Sequence, residues 1–179
     1  PAFQYVDNRL MSLQLVKLGM TDAVIFNSEG NNMLPADILY KKNIFAVRGS
    51  FRPVTRVNID MFEHGLEMFN QDNACDHENT QILFEITISN LRAAGDIDER
   101  DFLDRVDILG TLGYTVMISN FSEYYRMVDY FSTFTNQHIG VAMGVNNLLD
   151  VFDEEYYKNL PGGILEAFGK FFKKDMRVY

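Results

Sequence analysis

The stretch "NIFAVRGSFRPVTRVNIDMF", residues 43–62, decides how the rest of the chain is read. Ile44 to Val47 form a run of apolar residues of strand length. Beyond Arg48, Gly49 and Pro53, the residues Ile59, Phe62, Leu66 and Phe69 recur at spacings of three and four. The first pattern suits a buried strand and the second an amphipathic helix. The join between them combines a glycine, a serine and three arginines, Arg48, Arg52 and Arg56.

The same alternation runs outward in both directions. "DNRLMSLQLVKLG" places Leu10, Leu13 and Val16 near one helical face, with Asp7 as a cap and Gly19 as a stop. "DAVIFN" is a short apolar run that precedes the quoted strand. After it, "TQILFEITIS" suits a buried strand, and "DERDFLDRVDILGTLG" carries Phe102, Val106 and Leu109 on one helical face between Asp98 and Gly113. "YTVMISN" gives another strand, Ser122 a cap, and "EYYRMVDYFSTF" a helix. "IGVAMG", "VNNLLDVF", "GGILEAFGKFF" and "MRVY" continue the pattern. Strands alternating with helices predict a three-layer Rossmann-like α/β sandwich with a mostly parallel sheet of about five parallel strands, because each crossover helix must bury its stripe against the sheet. Residues 1–179 are expected to form one such domain, with the polar run "NQDNACDHEN" as a seam between two halves of the sheet.

Composition narrows the partners. Twenty-five acidic against sixteen basic residues give a net charge of −9, which disfavours nucleic acid and anionic lipid. Cys75 is the single cysteine, so no internal disulfide is possible and a cytoplasmic location is expected. No apolar run reaches the roughly 20 residues that cross a bilayer. The chain opens on Pro1 and closes on "MRVY", so a missing amino-terminal portion of a longer chain is expected to be one of its partners.

In folds of this class ligands sit beyond the carboxyl ends of the strands. A strand, a glycine and a helix start are the parts of an anion site, since glycine admits close approach and first-turn N–H groups point outward. Gly49, Ser50, Thr55 and Arg56 are therefore the expected binding residues for a nucleotide or phosphate, ATP being one candidate. The competing reading is a well-formed turn whose arginines pair with nearby carboxylates.

These residues resemble the signature G-S-F-[DN]-P-[IV]-T-x-G-H-[LI] of the nicotinate-nucleotide and phosphopantetheine adenylyltransferase superfamily. Gly49, Ser50, Phe51, Pro53, Val54, Thr55 and Ile59 align without a gap. The family's catalytic histidine falls on Asn58, its glycine on Val57, and its acidic or amide position on Arg52. The resemblance thus makes Asn58 a candidate catalytic residue in a nucleotidyltransferase-like reaction. Across its whole length, through "VDNRLMSLQLVKLG", "ILYKKNIFAVRGSFRPVT", "DFLDRVDILGTLGYTVMISN" and "GGILEAFGKFFKKDMRVY", the chain resembles the carboxy-terminal part of a longer bacterial family without an established reaction. Its members carry the label nicotinate-nucleotide adenylyltransferase or TonB-dependent receptor. The second label conflicts with the helical crossovers expected here.

"ILFEITISNL" with "LGYTVMISN" is also similar to the haloacid dehalogenase pattern, in which one strand ends in D-x-D and a later strand in Ser or Thr. Glu85 and Thr87 stand at the two Asp positions and Ser119 at the later one, so Glu85 and Ser119 join the catalytic candidates. A buried Glu85 needs a partner, and Arg92 or Arg126 is expected to supply it. His64, His77 and His138 show no ligand spacing, and "DNACDHEN" lacks calcium-loop spacing, so no metal is expected. The expected function is nucleotide or phosphate binding. The alternative is a non-catalytic interaction or homo-oligomerisation domain using aromatics such as Tyr124, Tyr125, Tyr156 and Tyr157, of which at least one of each adjacent pair is expected to be packed, since neighbours on a helix point about 100° apart.

Overall fold

A computed structural model describes residues 7–73, 79–93, 95–172 and 176–179. Cys75, Asp76, His77 and Glu78 lie outside the described residues. The architecture is a three-layer α/β sandwich around a seven-stranded sheet.

Its strands are β1 (Ala23–Phe26), β2 (Asn32–Met33), β3 (Asn43–Arg48), β4 (Thr80–Thr87), β5 (Val116–Ser119), β6 (Ile139–Ala142) and β7 (Arg177–Val178), in the spatial order β2-β1-β5-β4-β3-β6-β7. The helices are α1 (Asn8–Lys17), α2 (Pro35–Leu39), α3 (Arg56–Asn73), α4 (Ile88–Arg92), α5 (Glu99–Thr111), α6 (Tyr124–Ser132), α7 (Val145–Val151) and α8 (Gly163–Phe171), with a 3-10 turn at Glu154–Tyr157. Strands β5, β4, β3, β6 and β7 are mutually parallel. In chain order these five run third, second, first, fourth, fifth, which is the doubly wound Rossmann-like arrangement; the order reverses between β3 and β6.

The side chains of the strands alternate between two cores, as the two-residue period of a strand requires. Phe45 and Val47 of β3, Phe84 and Ile86 of β4, and Val116 and Ile118 of β5 face α1, α3, α4 and α5. Ile44, Ala46, Leu83, Met117 and Val141 face the opposite layer, where Tyr124, Met127, Val128 and Phe131 of α6 and Phe171 of α8 pack. Local signals set several helix ends. Asp7 caps α1 by accepting from the Arg9 N–H at 2.8 Å, and Asp98 caps α5 by accepting from the N–H groups of Arg100 and Asp101. Gly19 and Gly113 follow their helices at φ 70° and 87°, where a Cβ would be strained.

The five parallel strands match the expected mostly parallel sheet; one further strand runs against them, and two other expectations need correction. The "DAVIFN" strand, β1, lies antiparallel to both β5 and β2. It leaves through a tight turn in which the Asn27 side chain accepts from the N–H groups of Glu29 and Asn31, so no crossover helix forces it parallel. The polar run 70–79 divides nothing, because β3 and β4 on either side of it pair directly from Asn43–Thr80 to Arg48–Glu85. Ser122 is not the cap of α6; that position is Glu123. Among the described residues no helix is long and apolar enough to cross a membrane.

Candidate functional site

The carboxyl ends of β3, β4 and β5 carry Arg48, Glu85 with Thr87, and Ser119. Arg48 and Glu85 are register partners on adjacent strands, so both side chains leave the sheet on the α6 side. Arg48 Nε donates to Glu85 Oε2 at 2.6 Å and Arg48 Nη2 to Glu85 Oε1 at 3.1 Å. Ser119 Oγ donates to Glu85 Oε1 at 2.5 Å, and Arg48 Nη1 donates to the Ser122 carbonyl at 3.1 Å. Glu85 and Ser119 are wholly buried and Arg48 is 8% exposed. The Tyr124 ring covers the guanidinium, 4.2 Å from ring centroid to Cζ. Burial works against the charge on Arg48, yet the Glu85 carboxylate outweighs it and the pKa is raised, so the arginine remains protonated. Burial likewise pushes the Tyr124 hydroxyl up, with Arg48 pulling the other way, and keeps it neutral.

Above this neutralised pair lies a cavity of about 190 Å³, at the crevice where the strand order reverses. Four successive strand-to-helix connections line it. Arg48 comes from the end of β3, Thr87 and Asn90 from the β4–α4 junction, Ser122 from the connection after β5, and Asn147 and Asp150 from α7 after β6. Asn147 Nδ2 donates to Tyr124 Oη at 2.6 Å, and Tyr156 Oη donates to the Ser122 carbonyl at 2.6 Å. Burial raises the pKa of Tyr156 as well.

A larger groove of about 760 Å³ runs between α3 and α5, lined by Val54, Thr55, Arg56, Ile59, Ile108 and Leu112 together with Asp60 and Asp107. Size favours this groove, and convergence of chemistry favours the strand-end cavity. The groove is the seam between the flanks of two neighbouring helices, and Asp107 is already ion-paired to Arg9. The cavity gathers polar side chains from four separate connections at the position where open α/β sheets hold ligands. We therefore take the cavity as the candidate site.

The residues singled out in the sequence are dispersed. Gly49 donates its N–H to the Glu85 carbonyl at 3.0 Å, and a Cβ there would lie 2.9 Å from the Phe51 ring. Close packing of Phe51, itself at φ 44°, accounts for this glycine without a phosphate. The Ser50 carbonyl accepts from Arg105 Nη1 at 2.9 Å. Thr55 caps α3, with its N–H and Oγ1 both bonded to Asn58 Oδ1 at 2.9 and 2.8 Å. The Asn58 side chain is thus a helix cap, and Thr87 with Asn90 repeats the arrangement at the start of α4. Two of the amides needed for an anion cradle are therefore held by the protein's own acceptors. Of the three arginines, Arg48 pairs with Glu85 and Arg52 with Asp101 at 3.1 Å; Arg56 is exposed and has no carboxylate partner among the described residues.

Glu85 and Ser119 do meet, as the dehalogenase-like pattern has them, but inside the protein and away from solvent. The partner of Glu85 is Arg48, not Arg92 or Arg126; Arg126 lies 3.8 Å from Glu123. Among the described residues no group of three or more His, Cys, Asp or Glu could hold a metal ion. Asn147, Asp150 and Tyr156 carry no site motif in the sequence, although the place of Asn147 and Asp150 just after the apolar strand "IGVAMG" is a signal for those two. Comparison with protein-family models, with curated proteins and with solved structures gave no match.

Proposed function

We propose that this Rossmann-like domain binds a nucleotide-type ligand in the cavity beyond the carboxyl ends of β3, β4, β5 and β6. The observation that carries this reading is the convergence of Arg48, Thr87, Asn90, Asn147 and Asp150 on one small polar cavity at the reversal of strand order. At about 190 Å³ it is smaller than the roughly 300 Å³ and upward of ordinary ligand pockets, so it receives one moiety while the remainder lies outside. The resemblance to nicotinate-nucleotide adenylyltransferases favours the same ligand class, and the lone cysteine favours a cytoplasmic setting. The proposal is binding and not adenylyl transfer, because Asn58, at the family's histidine position, spends its side-chain oxygen on the cap of α3.

Calorimetric titration and thermal-shift measurements with ATP, NAD, nicotinate mononucleotide and pyrophosphate test the reading. Saturation with a true ligand at about a hundred times its Kd stabilises the fold by about 2.7 kcal/mol. Absence of heat and of any shift with every compound would remove the proposal.

A second reading, an interaction domain, is favoured by several exposed apolar side chains. Val145, Leu149, Phe152, Leu165 and Phe172 of the α7–α8 region are each more than half exposed. A molar mass that rises with concentration, in a protein that binds none of the small molecules, would favour it.

A further inference from the structure

The hydrogen-bonding inventory of the strand-end cavity distinguishes between the parts of a nucleotide. Resting on the reading of that cavity as a ligand site, we propose that it takes a sugar bearing adjacent hydroxyls, the ribose of the ligand, and not its phosphate.

Charge is the first argument. Both carboxylate oxygens of Glu85 meet one edge of the Arg48 guanidinium, so the pair brings no net charge to the cavity floor. Asp150 is exposed at the rim, and its carboxylate makes no ion pair or hydrogen bond with another described residue. The cavity thus carries a net negative charge, and a phosphate placed there would face Asp150 at short range.

The second argument is the mixture of donors and acceptors. Asn90 spends Oδ1 on Thr87 and keeps its amide N–H groups free to donate. Tyr124 Oη accepts from Asn147, leaving the phenolic hydrogen to donate and Asn147 Oδ1 to accept. Ser89 adds a hydroxyl, and Asp150 adds two acceptor oxygens. Phosphate at neutral pH is almost wholly an acceptor and leaves Asp150 and Asn147 Oδ1 without donors. A hydroxyl both gives and receives, and a pair of neighbouring hydroxyls can answer both kinds of group at once. The volume agrees, being below that of a pocket for a whole nucleotide.

The test titrates the protein with the four ribonucleosides, their 5′-monophosphates, the matching 2′,3′-dideoxynucleosides, free ribose and pyrophosphate, with side-chain amide resonances recorded by NMR. The expected result is that a nucleoside binds without phosphate, shifts the Asn147 amide signals, and weakens about tenfold or more when both hydroxyls are removed. Asp150→Ala is expected to weaken the ribonucleoside by a similar factor while leaving the dideoxy compound unchanged. Asp150 is exposed in α7, so the variant folds. Binding of free ribose with the same dependence on Asp150 would identify the sugar alone as sufficient. Equal affinity for ribo and dideoxy compounds, or displacement of nucleoside by pyrophosphate, would overturn the inference and leave the ligand site standing. Failure of every probe to bind would remove the functional reading itself and the inference with it.

Discussion

Arg48 and Glu85, thirty-seven residues apart in sequence, sit side by side on adjacent parallel strands and close a two-point ion pair inside the protein, at 2.6 and 3.1 Å. Removing one partner strands a buried charge, which costs about 3–5 kcal/mol, whereas removing both with apolar residues of similar volume often costs little. Glu85→Leu is expected to destabilise the fold by that amount, and Arg48→Met/Glu85→Leu by clearly less. Urea denaturation of the two single variants and the double variant checks this. Additive losses would mean that the pair is not coupled.

Two glycines without Cβ atoms are expected to respond with opposite signs. At Gly140 in β6 a Cβ would lie 2.6 Å from the Phe69 ring and 2.7 Å from that of Phe45, both fully buried. Gly140→Ala should cost about 1–3 kcal/mol by overpacking. At Gly169 in α8 nothing lies within 4 Å. Gly169→Ala should gain about 0.5–1 kcal/mol through helix propensity and a restricted unfolded chain. Melting temperatures of the two variants, moving in opposite directions, are the readout.

Asn58 and Asn90 hold the same position relative to Thr55 and Thr87 and make the same pair of bonds, one to the threonine N–H and one to its hydroxyl. Each Asn→Ala variant should lose about 1 kcal/mol of stability. Asn58→Ala should leave nucleoside affinity unchanged, because Asn58 does not line the strand-end cavity. Calorimetry on the folded variant decides the point; a collapse of binding would return Asn58 to the site.

Stability should decline under alkaline conditions before the arginines are affected. Burial pushes the Tyr157 hydroxyl, which donates to the Val151 carbonyl at 2.8 Å, up to about 12, and pushes Tyr130 to the same value. A phenol raised above its ordinary value of 10 gives up its proton later when folded than when unfolded. The folded state therefore binds more protons between pH 10 and 12, and stability falls as pH rises through that window. Denaturation midpoints measured from pH 9 to 12 should show this slope, and Tyr157→Phe should flatten it. A slope untouched in Tyr157→Phe would assign the effect elsewhere.

The sequence made the layers legible because burial imposes a period. The four-residue and eight-residue runs that became β1 and β4 could be seen as strands, and the stripe Phe62, Leu66, Phe69 as a helix face, since each pattern follows from which side meets the core. Strand direction was not legible at β1. Its orientation depends on the Asn27 turn, and a short apolar run is identical read either way. The site was harder still. Arg48 looked like a cationic group for a ligand, because nothing local shows that Glu85 will be its neighbour; that follows from the β3–β4 register. Gly49 fits a phosphate loop and a packing constraint equally well in one dimension, and only the position of the Phe51 ring separates them. Asn147 and Asp150 join Arg48 across the reversal of strand order, a proximity of about a hundred residues in sequence that no local pattern encodes.

The strand β2 has a consequence for how the molecule behaves in a crowded solution. It borders the sheet next to β1 with only Asn32 and Met33, and the Asn32 side-chain oxygen is already engaged by the Ser12 hydroxyl at 3.1 Å. A border this short gives a foreign chain almost no ladder of free N–H and C=O groups to extend. Lengthening the Asn27–Met33 hairpin with alternating apolar residues would create that ladder, and with it a route to edge-to-edge aggregation that the native turn denies.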